Sequence, residues 1–186
     1  MGQPTQVESG RGEESERFAV IYEQHFDFVW RSARRLGVPS AAVDDAVQDV
    51  FLVVHRRLHE FEGRSKLKTW LFGITLNVAK AHRRKRGRIV DPLEAELVDP
   101  GPDPEATAEA EQARGLLHSC LDELDEDKRA VFVLAELEQA TAPEIAEALQ
   151  LKLNTVYSRL RAARRAFEAA VGRHRAAQER VEGEIA

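Results

Sequence analysis

DDAVQDVFLVVHRRLHEFEGRSKLKTWLFGITLNVAK, residues 44–80, carries two amphipathic repeats in succession. Val43, Val47, Val50, Phe51, Val54 and Leu58 fall at the three-and-four spacing of one helix face, and Leu67, Trp70, Leu71, Ile74 and Val78 repeat it after Gly63. Upstream, Phe18, Ile21, Tyr22, Phe26, Val29, Trp30, Ala33 and Leu36 form an earlier stripe that stops at Gly37 and Pro39. Ser40 is the expected N-cap of the second helix, with Asp44 and Asp45 at the positive end of its dipole. Residues 1–16 mix Gly, Ser, Glu and Gln without period and are expected to be a disordered tail, with order beginning near Arg17. Residues 17–88 therefore make a three-helix domain, large enough to fold alone though without a wide margin.

Downstream the chemistry inverts. Pro92, Pro100, Pro102 and Pro104 exclude a continuous helix, and residues 89–113 hold eight Asp or Glu and no base. Such a segment reads as an extended, self-repelling linker. Helical periodicity resumes near Glu109 and runs to about Val171, which gives a second domain over 114–171. Residues 172–186 are a charged tail that either prolongs the last helix or frays. No sustained apolar-polar alternation marks a strand. The expected fold is all-α: two small helical domains joined by a flexible acidic linker.

The second domain reads as a helix-turn-helix. Thr141 and Glu144 have capping-box spacing and open a short helix over 142–149, with Pro143 tolerated in its first turn. After a turn through 150–153, a second helix places Val156, Leu160, Ala163 and Phe167 inward. That leaves Asn154, Thr155, Ser158, Arg159, Arg161 and Arg165 available to solvent. Short polar groups near a helix N-terminus with arginines further along suit base-edge reading and phosphate contact in a major groove; a solvated helix face is the alternative.

A net charge of -5 sits awkwardly with nucleic-acid binding until its distribution is considered. Residues 63–88 hold nine Lys or Arg and no acid, and residues 150–167 hold five, again with no acid. The two basic islands are expected to lie open, so that both can be laid on one duplex. No apolar run approaches the roughly 20 residues of a membrane span, and residues 1–17 are unlike a signal peptide, so a cytoplasmic protein without membrane insertion is expected. Cys120, the single cysteine, lies among Leu116, Leu117, Leu121 and Leu124 and reads as core. His25, His55, His59, His82, His118 and His174 show no metal-ligand spacing, and no catalytic constellation appears. Neither a metal, a cofactor nor an enzymatic activity is expected.

Residues 44–80 strongly resemble the second conserved region of bacterial sigma factors, and EIAEALQLKLNTVYSRLRAARRAF, residues 144–167, resembles the fourth. Their order, their spacing and the proline-bearing linker are similar to the compact extracytoplasmic-function group. The resemblance covers about 150 of the 186 residues. It implies that Asp44, Asp45, Gln48 and Asp49 dock on a coiled coil of core RNA polymerase. It implies further that Asn77 captures an unpaired base of the minus-ten promoter element while Lys66, Lys68, Lys80, Arg83 and Arg84 hold the opened strand. An amide supplies both donor and acceptor for an extruded base edge, and carboxylates one turn apart present a surface for a basic partner.

On the last helix the same resemblance adds Tyr157 to Asn154, Thr155, Ser158, Arg159, Arg161 and Arg165 as readers of the minus-thirty-five element. Trp70 could stack on a base, although its spacing with Leu67, Leu71 and Ile74 favours core. An anti-sigma partner is also implied, and the linker is expected to thread the polymerase cleft, with a plain tether as the alternative. Departures from the family pattern are His55 for tryptophan, Gln150 for the turn glycine, Lys152 for a capping Ser or Pro, and Tyr157 and Ala162 for basic residues. The function implied is promoter-specific transcription initiation in complex with core polymerase. The competing readings are a stand-alone helix-turn-helix regulator, which would need a self-association surface the sequence does not advertise, and a helical adaptor, which leaves both basic islands unexplained.

Overall fold

The computed structural model describes residues 6–63, 66–88 and 107–185. Among the described residues every regular element is helical. The first domain consists of α1 (Gln6–Arg35), α2 (Ser40–Arg57), a 3-10 turn (Leu58–Glu60) and α3 (Leu67–Arg88). Val29 and Ala33 of α1, with Leu36 just after it, meet Val43, Val47, Val50 and Val54 of α2 and Leu71 and Phe72 of α3 in its core, all buried. Phe18, Tyr22 and Phe26 gather around Phe51, with the Tyr22 and Phe51 ring centroids 4.6 Å apart.

α1 begins at Gln6, well before the Arg17 start expected from periodicity. Its first turns extend a helix already held by packing, so they need no new nucleus, and the formers Glu8, Glu14 and Glu16 offset Gly10 and Gly12. Its end closes as a Schellman motif around Gly37 at φ 85°: Val38 N–H donates to Ala33 O at 3.1 Å and Gly37 N–H to Arg34 O at 2.9 Å. α2 corrects a second expectation. Its N-cap is Pro39, at φ -60° and ψ 151°, not Ser40, and no side chain caps it. The fixed φ of proline starts the helix one residue earlier than Ser40 could as a cap, which leaves Asp44 and Asp45 beyond the first turn.

The second domain contains α4 (Ala108–Asp122), α5 (Glu126–Phe132), a π-helical turn (Val133–Leu137), α6 (Ala142–Ala148) and α7 (Leu153–Ile185). Of the expected linker, residues 89–106 lie outside the described residues. Residues 108–113, also assigned to it, belong to α4, because Thr107 caps that helix by accepting Ala110 N–H at 3.3 Å. Glu109 and Glu111, counted as linker charge, instead sit in its first turn, where the helix dipole favours them. Cys120, Leu121, Val131, Val133, Ile145, Val156 and Ala163 fill the core, and Phe132 stacks on Phe167 at 4.5 Å. Burial also pushes the Cys120 thiol pKa up, which suits an inert packing residue. α7 continues past the expected tail boundary to Ile185, and Arg173 and His174 pair with Glu123, the C-cap of α4.

The turn between α6 and α7 shows why a glycine is usual there. Gln150 stands at φ 53°, in a second Schellman motif formed by Leu151 N–H to Ala146 O at 2.8 Å and Gln150 N–H to Glu147 O at 3.2 Å. Left-handed backbone strains a side-chain-bearing residue. Gln150→Gly should therefore raise stability by roughly 0.5–1 kcal/mol, read as a higher urea midpoint at unchanged slope.

The two domains pack against each other along α3 and α6. Leu76 and Ala79 of α3, absent from the stripe read in the sequence, are buried as well, so α3 is covered on two sides. At Gly73 an added Cβ would stand 3.3 Å from Ala148 O of α6, so the bare backbone permits the close approach.

Candidate nucleic-acid interface

Three surfaces follow from this frame. On α2, Asp44, Asp45, Gln48 and Asp49 are all exposed and share one face, as the sequence suggests. Asp44 Oδ1 accepts from Trp30 Nε1 at 3.1 Å, and His82 of α3 meets Asp49 Oδ2 at 2.8 Å. Leu52, 48 % exposed, continues the same face one turn beyond Gln48. Sequence reading missed it because the spacing that reveals a buried stripe is silent about an apolar residue on the outer side.

On α7 the expected readers divide. Asn154, Tyr157, Ser158, Arg161 and Arg165 are exposed along one stripe, with Tyr157 at 55 %, while Thr155 is half-buried. Arg159 does not join them. It turns to Asp127 of α5 at 2.8 Å and lines the interdomain cleft. Arg164 is drawn off similarly by Glu136 at 2.7 Å. α6 and α7 have the helix-turn-helix relation, and the capping carboxylate of Glu144 accepts both the N–H and the Oγ–H of Thr141, each at 2.8 Å.

On α3, Asn77 is exposed and lines a cleft of about 580 Å³ between the domains together with Trp70, Lys80 and Arg159. Trp70 is half-buried, packed on the core and tilted against Phe61 at 5.1 Å, so it serves core and cleft wall at once. Lys68 and Arg84 are exposed, and Lys68 Nζ lies 5.7 Å from the centre of the Phe28 ring.

The other expected cations, on α3 and just before it, correct the expectation that the first basic island lies open. Lys66 Nζ pairs with Glu144 at 2.8 Å, Lys80 Nζ with Glu126 at 2.8 Å, and Arg83 reaches Leu36 O at 3.5 Å. Arg35 of α1 adds a contact to Glu138 at 2.5 Å. Lys66, with the two Thr141 groups, holds the Glu144 carboxyl down to about 2. Close to this seam lies Arg129, buried, bonded to Asp122 Oδ1 and to the Asp122 and Leu124 carbonyls, with burial pushing its guanidinium pKa down. A Cβ at Gly37 would run into that guanidinium, so this glycine serves both its φ and the domain contact. The carboxylates responsible lie in the second domain, a partner that charge counting along the first island does not reveal.

The sequence family Sigma-70 region 2 matches residues 21–89, and Sigma-70, region 4 matches residues 114–167. The ECF RNA polymerase sigma-E factor of Escherichia coli (strain K12) is 34 % identical over 142 residues, 70 % of this chain and 74 % of that one. The chain belongs to the ECF sigma factors. As an ECF sigma factor it is a DNA-binding initiation factor that directs RNA polymerase to promoters.

This sigma factor is also similar to RNA polymerase sigma factor NccH of Alcaligenes xylosoxydans xylosoxydans, 33 % identical over 155 residues, 79 % of this chain and 82 % of that one. Among solved structures it is similar to CnrH, determined in complex with the cytosolic domain of CnrY, at TM-score 0.63 and 28 % identity over 85 % of this chain and 89 % of that one. The fold is shared as well with the sigma factor RpoE of Bartonella quintana, at TM-score 0.69 and 22 % identity over 84 % and 98 % of the two chains. Among the described residues no helix of this sigma factor is long and apolar enough to cross a membrane, and no His, Cys, Asp and Glu group gathers as a metal site would.

Proposed function

We propose that this sigma factor docks on core RNA polymerase through Asp44, Asp45, Gln48 and Asp49 and opens the minus-ten element on α3 with Asn77. It reads the minus-thirty-five element through Asn154, Tyr157, Ser158, Arg161 and Arg165. The observation that carries this reading is the placement of Asn77, exposed on α3 beside Trp70 and Lys80. Its amide offers a donor and an acceptor to an extruded base edge. Lys66, Lys68, Lys80, Arg83 and Arg84 serve the strand phosphates once the closed arrangement opens. Thr155 and Arg159 support the reading face from its inner side.

Bond-making stays with the polymerase, and this sigma factor contributes position and strand capture in the cytoplasm. The two modules gain strength by tethering, since each contact raises the effective concentration of the other once core holds both. A dedicated anti-sigma partner belongs to the same reading; the Bartonella RpoE of similar fold was solved with the anti-sigma factor NepR.

Asn77→Ala tests the pocket. Loss of one base contact of about 1–3 kcal/mol should cut open-complex formation roughly tenfold, seen as lost permanganate reactivity of promoter thymines, with core binding unchanged. Unaltered promoter opening would remove Asn77 from the mechanism.

A further inference from the structure

We infer that Trp30 and His82 are positioning residues for core docking: from α1 and α3 they hold Asp44 and Asp49, the two outer carboxylates of the α2 face, in the poses that the polymerase meets. The inference rests on the reading of that face as the docking surface, and adds to it the two residues that preform it. Three observations carry it together.

The first is placement. At about 100° per residue, the five positions between Asp44 and Asp49 set them roughly 140° apart, at opposite edges of the exposed face. Trp30 Nε1 of α1 donates to Asp44 Oδ1 at 3.1 Å on one edge, and His82 Nε2 of α3 meets Asp49 Oδ2 at 2.8 Å on the other, while Asp45 and Gln48 stand exposed between them. The second is the chemistry of the holders. A carboxylate only accepts, so the ring N–H donates in both bonds, and neither ring needs a positive charge to do so. Lys or Arg in either place would cancel the charge that a basic partner is to meet. Each bond uses one oxygen, which leaves the other to the partner. The third is rigidity. Trp30 is packed on the core and the His82 side chain is 14 % exposed, whereas that of Asp49 is 52 % exposed, so fixed rings hold groups that would otherwise wander.

An exposed aspartate without a partner spreads over several rotamers, and association has to order it. Held in place by folding, each of the two carboxylates spares the complex that ordering, which corresponds to about three- to tenfold in affinity apiece. Trp30 and His82 need not touch the polymerase to have this effect. Sequence reading put Trp30 in the apolar stripe of α1 and found no ligand spacing for His82; the carboxylate that each ring serves lies on another helix, 14 and 33 positions away.

The test titrates the labelled full chain with core polymerase and compares Trp30→Phe, His82→Ala and His82→Gln, together with Asp49→Ala alone and combined with His82→Ala. Phenylalanine keeps the packed ring and loses the N–H, and glutamine brings an uncharged N–H close to where Nε2 stood. Trp30→Phe and His82→Ala should each weaken core binding about three- to tenfold with helical circular dichroism unchanged, and His82→Gln should restore the parent affinity. Once Asp49→Ala is present, His82→Ala should cost nothing more, because the group it positions is gone. Parent-like binding by both Trp30→Phe and His82→Ala would overturn the inference. So would a loss in His82→Ala that glutamine does not repair, or that persists in full beside Asp49→Ala, since a merely structural role behaves that way. The docking reading is judged apart by Asp49→Arg: if that reversal weakens binding while Trp30→Phe and His82→Ala do not, the docking face stands and the positioning falls. If the reversal leaves binding intact, both fall.

Discussion

Asp49→Arg should separate this sigma factor from core polymerase while leaving it folded. Asp49 is exposed, shares its face with Asp45 and Gln48, and is touched within the chain by His82 at 2.8 Å. Reversal replaces an attraction with a like-charge juxtaposition on a surface read as facing a basic partner, which costs several kcal/mol. A loss of about 2–5 kcal/mol, roughly thirtyfold or more in affinity, is expected when labelled protein is titrated with core. Thermal unfolding should stay within about 0.5 kcal/mol of the parent, because exposed substitutions rarely do more. Core binding as tight as the parent's would place the docking surface elsewhere.

The largest effect on stability is expected at Phe72. Its side chain is fully buried in α3, beside Leu71, in the core that α3 shares with α1 and α2. Phe72→Ala removes a full aromatic from a small core and leaves a cavity that helices pinned on two sides cannot collapse. The expected cost is about 3–5 kcal/mol, a large share of what a domain of this size possesses. Urea unfolding followed by circular dichroism should show the midpoint falling accordingly. A change under 1 kcal/mol would mean that the α3 core relaxes freely, contrary to the packing described.

Phe72 also shows where sequence reading stops. The stripe Leu67, Leu71, Ile74 was legible because one buried face leaves a period of three and four. Phe72, Leu76 and Ala79 fall off that stripe and are buried all the same, and Leu76 lines the cleft to a second domain, remote in sequence, that covers another side of α3. Periodicity reports a helix with one wet face, and it is blind to a helix that has two dry ones. The all-helical class, the three-helix unit, the start of α6 at Thr141 and the inward set Val156 and Ala163 were legible for the opposite reason, since each is fixed by local chemistry.

The site divides along the same line. Asp44, Asp45, Gln48 and Asp49 share an exposed face because a single helix places them there, and Asn154, Tyr157, Ser158, Arg161 and Arg165 do so likewise. Arg83, Arg159, Lys66 and Lys80 departed from expectation because their nearest partners are carboxylates and carbonyls that only tertiary packing brings near. The role of Asn77 had no local signature at all; composition and period treat it as one more polar helix residue, and only family resemblance singled it out. Pro39 in place of Ser40 as the cap is a smaller lesson: where a fixed φ and a capping hydroxyl compete at adjacent positions, the fixed φ set the helix start here.

The most direct measurement is reconstitution. Core polymerase free of other sigma factors is mixed with the full chain and a library of genomic promoter fragments, and the starts of the transcripts are mapped. The account predicts initiation at a subset of fragments that share a minus-ten and a minus-thirty-five element, dependent on the added protein. Silence from a core that transcribes with another sigma factor, or starts scattered without shared elements, would contradict it.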